Sequence, residues 1–179
     1  MGAGIAHAFL INAAKVVLVE RDEQAAQGAR TRVESAVEAS LERGTVTGSS
    51  ERLLENFATS VDYADLAGCD LVVEAVPEDR ALKATALADV EARLSPHAYV
   101  ATNTSALSVS DLGSSLTRPE NFLGLHFFNP VPASSLIEVV IAEKTSQETI
   151  AAARRWVCAL GKTAVVVKDA PGFASSRLG

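Results

Sequence analysis

From Lys15 onward the chain alternates short apolar runs with longer amphipathic stretches, the pattern of repeated βα units around a mostly parallel sheet. The apolar runs predict strands near 15–20, 55–58, 70–76, 98–103, 122–127, 136–141 and 163–168. Val16-Val17-Leu18-Val19 and Leu71-Val72-Val73 are nearly continuous and rich in β-branched residues. Such runs predict strands covered on both faces, in the interior of the sheet. Helices fill the intervals over 22–43, where Ala25, Ala29, Val33, Ala36 and Leu41 recur at helical spacing, then over 79–94 and 147–160, the last ended by Gly161. The fold class this predicts is α/β, a Rossmann-like, doubly wound, mostly parallel sheet.

The two ends read differently. Met1-Gly2-Ala3-Gly4-Ile5-Ala6-His7-Ala8-Phe9 has the character of a glycine-rich turn running into a helix, with no strand before it. In a doubly wound sheet that strand lies at the centre, and its absence leaves unpaired backbone on both neighbours. Residues 1–168 are therefore expected to be an N-terminally truncated dinucleotide-binding domain. Asp169-Ala170-Pro171-Gly172-Phe173 is a linker signal, and 174–179 reads as the opening of a helix, so 169–179 is expected to lead into a further domain.

Composition narrows the classes. At 179 residues and 48% hydrophobic, the chain can bury one good core. A formal charge of −6, with acids and bases intermixed, argues against a nucleic-acid partner and against an anionic membrane surface. No apolar run reaches the length of a membrane span and the N-terminus lacks a signal-peptide layout, so a cytoplasmic location is expected. Cys69 and Cys158 form no CxxC arrangement and only three histidines accompany them, which suggests neither a metal site nor a disulfide; both thiols are expected in the core.

Four places carry candidate chemistry. Glu20 closes the first predicted strand 18 residues beyond Gly2, where an acidic residue accepts hydrogen bonds from the ribose hydroxyls of NAD and repels a 2′-phosphate. Val76-Pro77-Glu78 leaves a strand at its carboxyl end, where doubly wound folds bind ligands, so Glu78 and Lys83 are candidates to face a cofactor; an acidic residue in a helix's first turn is also ordinary dipole complementarity. Asn103-Thr104-Ser105 ends another strand. One of the three is expected to cap the following helix, which leaves Ser105 a candidate to bond a substrate hydroxyl. Finally, His126 stands near the end of an apolar strand, and Glu138 follows 12 residues later across the connection Asn129-Pro130-Val131-Pro132. Two strands joined this way can set the side chains opposite each other, and a carboxylate that fixes an imidazole's tautomer makes a proton-transfer pair of the kind an alcohol dehydrogenase needs.

Met1-Gly2-x-Gly4-Ile5-Ala6, Val73-Glu74-Ala75-Val76-Pro77-Glu78, Asn103-Thr104-Ser105-Ala106-Leu107, Gly124-Leu125-His126-Phe127-Phe128-Asn129-Pro130 and Lys168-Asp169-x-Pro171-Gly172-Phe173 occur in that order over essentially the whole chain. Together they resemble the NAD-binding domain of L-3-hydroxyacyl-CoA dehydrogenases. The resemblance implies that His126 takes the 3-hydroxyl proton as hydride passes to NAD, that Glu138 holds it, and that Ser105 binds the substrate oxygen. It implies that Gly2, Glu20, Ala75, Glu78, Lys83 and Asn103 line the cofactor, and that Asn129, Arg43 and Ser176 meet the acyl-CoA. The family string Pro-Gly-Phe-x-x-Asn-Arg is here Pro171-Gly172-Phe173-Ala174-Ser175-Ser176-Arg177, so a shorter serine stands in place of the asparagine. The resemblance further implies a helical C-terminal domain that completes the acyl-CoA site and forms a homodimer. Two other readings stay open: a dehydrogenase of the L-gulonate type, which Val76-Pro77-Glu78-Asp79 suits and the intact Leu125-His126-Phe127-Phe128-Asn129-Pro130 opposes, and a noncatalytic nucleotide-binding fragment, which His126 with Glu138 opposes.

Overall fold

The structure, a computed structural model, describes residues 1–173. It divides into two compact units, one made of residues 1–65 with 129–133 and the other of residues 66–128 with 134 onward.

The first unit contains α1 (Gly2–Leu10), β1 (Val16–Val19), α2 (Glu23–Glu42), α3 (Ser50–Leu54) and β2 (Phe57–Ser60). β1 and β2 pair in parallel, with Val16 opposite Phe57. Asp22 starts α2 by accepting the Ala25 N–H at 2.7 Å. The buried stripe of α2 is Ala26, Ala29, Val33, Val37 and Ser40, which packs with Ala6, Leu10, Leu18 and Phe57. This stripe is rotated from the expected one: Ala25, Ala36 and Leu41 are only half-buried. Alanine is common on both faces of this helix, so its spacing alone does not fix the phase. The strand expected over 55–58 begins at Phe57, because Ser49 caps the short helix α3 and Leu53 and Leu54 of that helix pack on the core.

One polar contact ties α1 to α2. His7 is 1% exposed, and its Nε2 lies 3.0 Å from Ser40 Oγ. The Ser40 hydroxyl donates to the Ala36 carbonyl at 2.9 Å, so Nε2 must carry the ring proton, and Nδ1 is left as a buried acceptor with no donor among the described residues. Burial first, and the Arg43 charge second, hold His7 below its ordinary value of 6.5. The unfolded chain therefore binds this proton more readily than the folded one. Stability from the neutral ring is complete above pH 6.5 and is lost as pH falls through and below that value. In His7→Gln the fall in melting temperature between pH 7 and 5 is expected to be shallower than in the parent; an unchanged slope would show that His7 does not drive it.

The second unit is a five-stranded sheet in the order β3-β4-β5-β6-β7, formed by β3 (Leu71–Glu74), β4 (Tyr99–Thr102), β5 (Phe122–Phe127), β6 (Leu136–Ile141) and β7 (Thr163–Lys168). Every pair is parallel except β5 with β6. Helices α4 (Arg80–Glu91), α5 (Val109–Gly113) and α6 (Gln147–Ala159) connect the parallel strands. All six residues of β5 are buried, and Ile137, Val139 and Val140 of β6 are fully inaccessible. Gly124 is required where these strands meet, since a Cβ there would lie 2.8 Å from Val140 Cβ and 3.1 Å from Val109 Cγ2. Gly161 ends α6 as expected: its φ of +67° lets Lys162 donate back to the Val157 carbonyl at 3.1 Å.

Two expectations are corrected here. Val16–Val19 and Leu71-Val72-Val73 are not the interior of their sheets among the described residues, where β1 and β3 each pair on one side only and are largely half-buried; the strands with a neighbour on each side are β4, β5 and β6. A β-branched run has the same composition whether one or two neighbours flank it. Cys158 is also not a core thiol. It is exposed on α6 beside buried Val157, while Cys69 is half-buried, its thiol pushed up by burial and then by the Asp70 charge. Among the described residues no helix is long and apolar enough to cross a membrane.

Candidate active site

The antiparallel register of β5 and β6 sets His126 directly opposite Glu138, so the two side chains rise from the same face of the sheet. Nδ1 of His126 lies 2.7 Å from Glu138 Oε2, and the residues are 7% and 3% exposed. An ionised carboxylate only accepts, so Nδ1 carries the proton and Nε2 presents a lone pair. The rings of Phe128 and Phe173 stand 4.7 and 5.7 Å from the imidazole, centre to centre.

The end of β4 meets the same strand. Thr102 is the register partner of Gly124, so the loop after β4 leaves the sheet level with Leu125 and His126. Asn103 Oδ1 accepts the Phe127 N–H at 2.8 Å. That bond fixes the orientation of the amide and leaves Nδ2 as a donor with no partner among the described residues. Ser105 is exposed, and its hydroxyl has no partner among the described residues. The triplet does not cap the next helix: Ser108 caps α5, while Thr104 Oγ1 accepts the Leu107 N–H at 3.0 Å and closes the turn in between. Asn, Thr and Ser all qualify as caps, and the cap went to a fourth residue of the same kind.

Glu78 holds this loop. Its Oε1 accepts the Thr104 hydroxyl, the Ser105 N–H at 3.0 Å and the Ala106 N–H at 3.0 Å. Burial pushes the carboxyl up, but these donors and the Lys83 charge outweigh it and hold Glu78 below its ordinary 4.5. Glu78 does not lie in the first turn of α4, whose cap is Asp79, so dipole complementarity is not its role. Lys83 departs from the expectation that it faces a cofactor. It is 1% exposed and its ammonium lies 2.8 Å from Glu74 Oε1, 3.0 Å from the Val76 carbonyl and 3.3 Å from Glu78 Oε2. Ala75 is half-buried just after β3. Glu74 and Thr102, which meet at 2.7 Å in the interior, are not among the candidates expected from the sequence. A carboxylate inside the apolar run Leu71-Val72-Val73-Glu74-Ala75-Val76 was the available signal, because a buried charge requires partners.

Other candidates belong to the first unit. The first turn of α1 has no side-chain cap and no acidic residue, and Gly4 and Ile5 both donate to the Met1 carbonyl, which leaves the Gly2 and Ala3 N–H groups without partners among the described residues. A Cβ on Gly2 would meet nothing within 4 Å, whereas one on Gly4 would press on Val131 Cγ2 at 3.1 Å. N–H groups in the first turn of a helix are donors suited to the diphosphate of a dinucleotide. Glu20 follows β1, is half-buried, donates its N–H to the Ser60 carbonyl at 2.9 Å, and has a carboxylate without a partner among the described residues, as a ribose diol would need. Arg43 is exposed at the end of α2, and Asn129 is exposed beside a cis Asn129–Pro130 bond. Ser176 lies outside the described residues.

A Rossmann-like α/β chain with an imidazole–carboxylate pair at a strand end belongs to the class of nicotinamide-dependent dehydrogenase domains. More particularly, the chain belongs to the family described as 3-hydroxyacyl-CoA dehydrogenase, NAD binding domain, whose model matches residues 1–170. NAD is the cofactor of this family. A fatty acid oxidation complex subunit alpha from Pseudomonas savastanoi pv. phaseolicola is 37% identical over 179 residues, covering 99% of this chain and 25% of that protein. The crystal structure of (S)-3-hydroxybutyryl-CoA dehydrogenase from Ralstonia eutropha superposes with a TM-score of 0.94 at 33% identity, covering 99% of this chain and 63% of that one. That of 3-hydroxybutyryl-CoA dehydrogenase from Escherichia coli K12 gives 0.91 at 31% identity, covering 96% and 37%. The chain thus spans a quarter of the length of the curated relative and 63% and 37% of these two solved chains.

Proposed function

We propose that the protein carrying this chain interconverts L-3-hydroxyacyl-CoA and 3-oxoacyl-CoA in fatty acid metabolism. The observation that carries this reading is the 2.7 Å contact between His126 Nδ1 and Glu138, which leaves Nε2 free to act as a base. Bound NAD supplies the hydride acceptor. His126 takes the hydroxyl proton at Nε2 and returns it in the reverse direction, while Glu138 keeps the tautomer and stabilises the imidazolium that forms. The free hydroxyl of Ser105 bonds the substrate oxygen, and Asn103 Nδ2 donates toward the cofactor. The Gly2 amide would hold the diphosphate, Glu20 would accept from the adenosine ribose, Ala75 would line the cofactor, and Glu78 sets the loop from which Ser105 projects. Arg43, Asn129 and Ser176 are assigned to the acyl-CoA. The reading takes 1–168 as the NAD-binding domain and 169–179 as the lead into a helical domain that closes over the acyl chain and forms a homodimer, in a cytoplasmic enzyme.

The intact protein is expected to reduce NAD when given 3-hydroxybutyryl-CoA, followed by absorbance of the reduced cofactor, and to do so faster than it reduces NADP. No reduction with 3-hydroxyacyl-CoA of any chain length would overturn the activity. Equal or reversed preference between the cofactors would remove Glu20 from its place at the ribose.

A further inference from the structure

We infer that Glu74 is a positioning residue: its buried carboxylate, acting through Lys83 and Thr102, fixes the loops that leave β3 and β4 and thereby the placement of Ser105 and Asn103. Both oxygens of Glu74 are committed. Oε1 accepts the Val76 N–H at 2.7 Å and the Lys83 ammonium at 2.8 Å, and Oε2 accepts the Thr102 hydroxyl at 2.7 Å. Each partner passes the constraint outward. Lys83 bridges to Glu78 Oε2 at 3.3 Å, and Glu78 Oε1 then holds the Thr104 hydroxyl with the Ser105 and Ala106 amides. Thr102, having donated its proton to Glu74, accepts the Thr104 N–H at 3.3 Å. Two routes therefore run from one buried carboxylate to the same exposed turn, and neither needs a water. The Asn103 N–H adds a third tie, donating to the Glu74 carbonyl at 2.8 Å.

A buried ion pair with no further role can be exchanged for apolar residues of similar volume with little loss, and often a gain, in stability. That property separates positioning from packing. In the intact protein, the double variant Glu74→Leu/Lys83→Met removes both charges together, and Glu74→Gln keeps the shape while removing one. Both are expected to fold, judged by melting temperature. In both, amide hydrogen exchange at Ser105 and Ala106 should accelerate by roughly tenfold or more, the scale of a lost charge-assisted hydrogen bond, while exchange in β5 and β6 stays at the parent level. The inference rests on the proposed function only for its second reading, a fall in kcat larger than the change in KM for 3-hydroxybutyryl-CoA. Parent-level exchange at Ser105 and Ala106 in both variants would overturn it, whatever the activity. A parent protein that does not oxidise 3-hydroxyacyl-CoA would overturn the function and leave the exchange result to decide the role of Glu74.

Discussion

Replacing His126 by Gln is expected to lower kcat for 3-hydroxyacyl-CoA oxidation by about 10² to 10⁴-fold, the range in which a positioned general base contributes, with little change in the affinity for NAD. Glutamine is close to the imidazole in reach and can both donate and accept, so the substrate oxygen keeps a hydrogen-bond partner. It cannot take up a proton near neutral pH. The loss should therefore fall on kcat rather than on KM. Packing changes little, because Phe128 and Phe173 flank the side chain without bonding to it. Steady-state rates, with NAD binding measured by calorimetry, check this. Turnover within tenfold of the parent would remove His126 from the proton transfer.

How much of this site the sequence discloses depends on how local each cause is. The pairing of His126 with Glu138 is legible because two apolar runs joined by a Pro-rich connection form neighbouring strands, and the ladder register then sets the side chains opposite each other. The helix stop at Gly161 is legible for the same reason, being written in one residue. Lys83 is not legible: lysine is rarely buried, and what draws it inward is Glu74, nine residues away and on another element. The helix α3 has five residues, too few for a periodic signal. The phase of α2 is not legible because its alanines suit either face, whereas the half-buried state of β1 and β3 depends on how many strands flank them. That last property belongs to the sheet rather than to any segment of it.

Replacing Glu138 by Gln should reproduce most of the loss caused at His126, about 10² to 10⁴-fold in kcat, although residue 138 need not touch the substrate. Gln has nearly the same shape, and its neighbours Ile137 and Val139 are fully buried in the sheet, so the strand stays in register. The amide then has two orientations toward Nδ1. If its oxygen faces the ring, the tautomer is kept, but the negative charge that stabilises the imidazolium is gone. If its nitrogen faces the ring, Nδ1 becomes the acceptor, the proton moves to Nε2, and the base is blocked outright. Either outcome depends on His126 being present. The double variant His126→Gln/Glu138→Gln should accordingly be no slower than His126→Gln alone, since groups that act as a unit do not contribute independently. Multiplicative losses in the double variant, or a fall in melting temperature that tracks the fall in kcat, would instead assign Glu138 to the packing of β6.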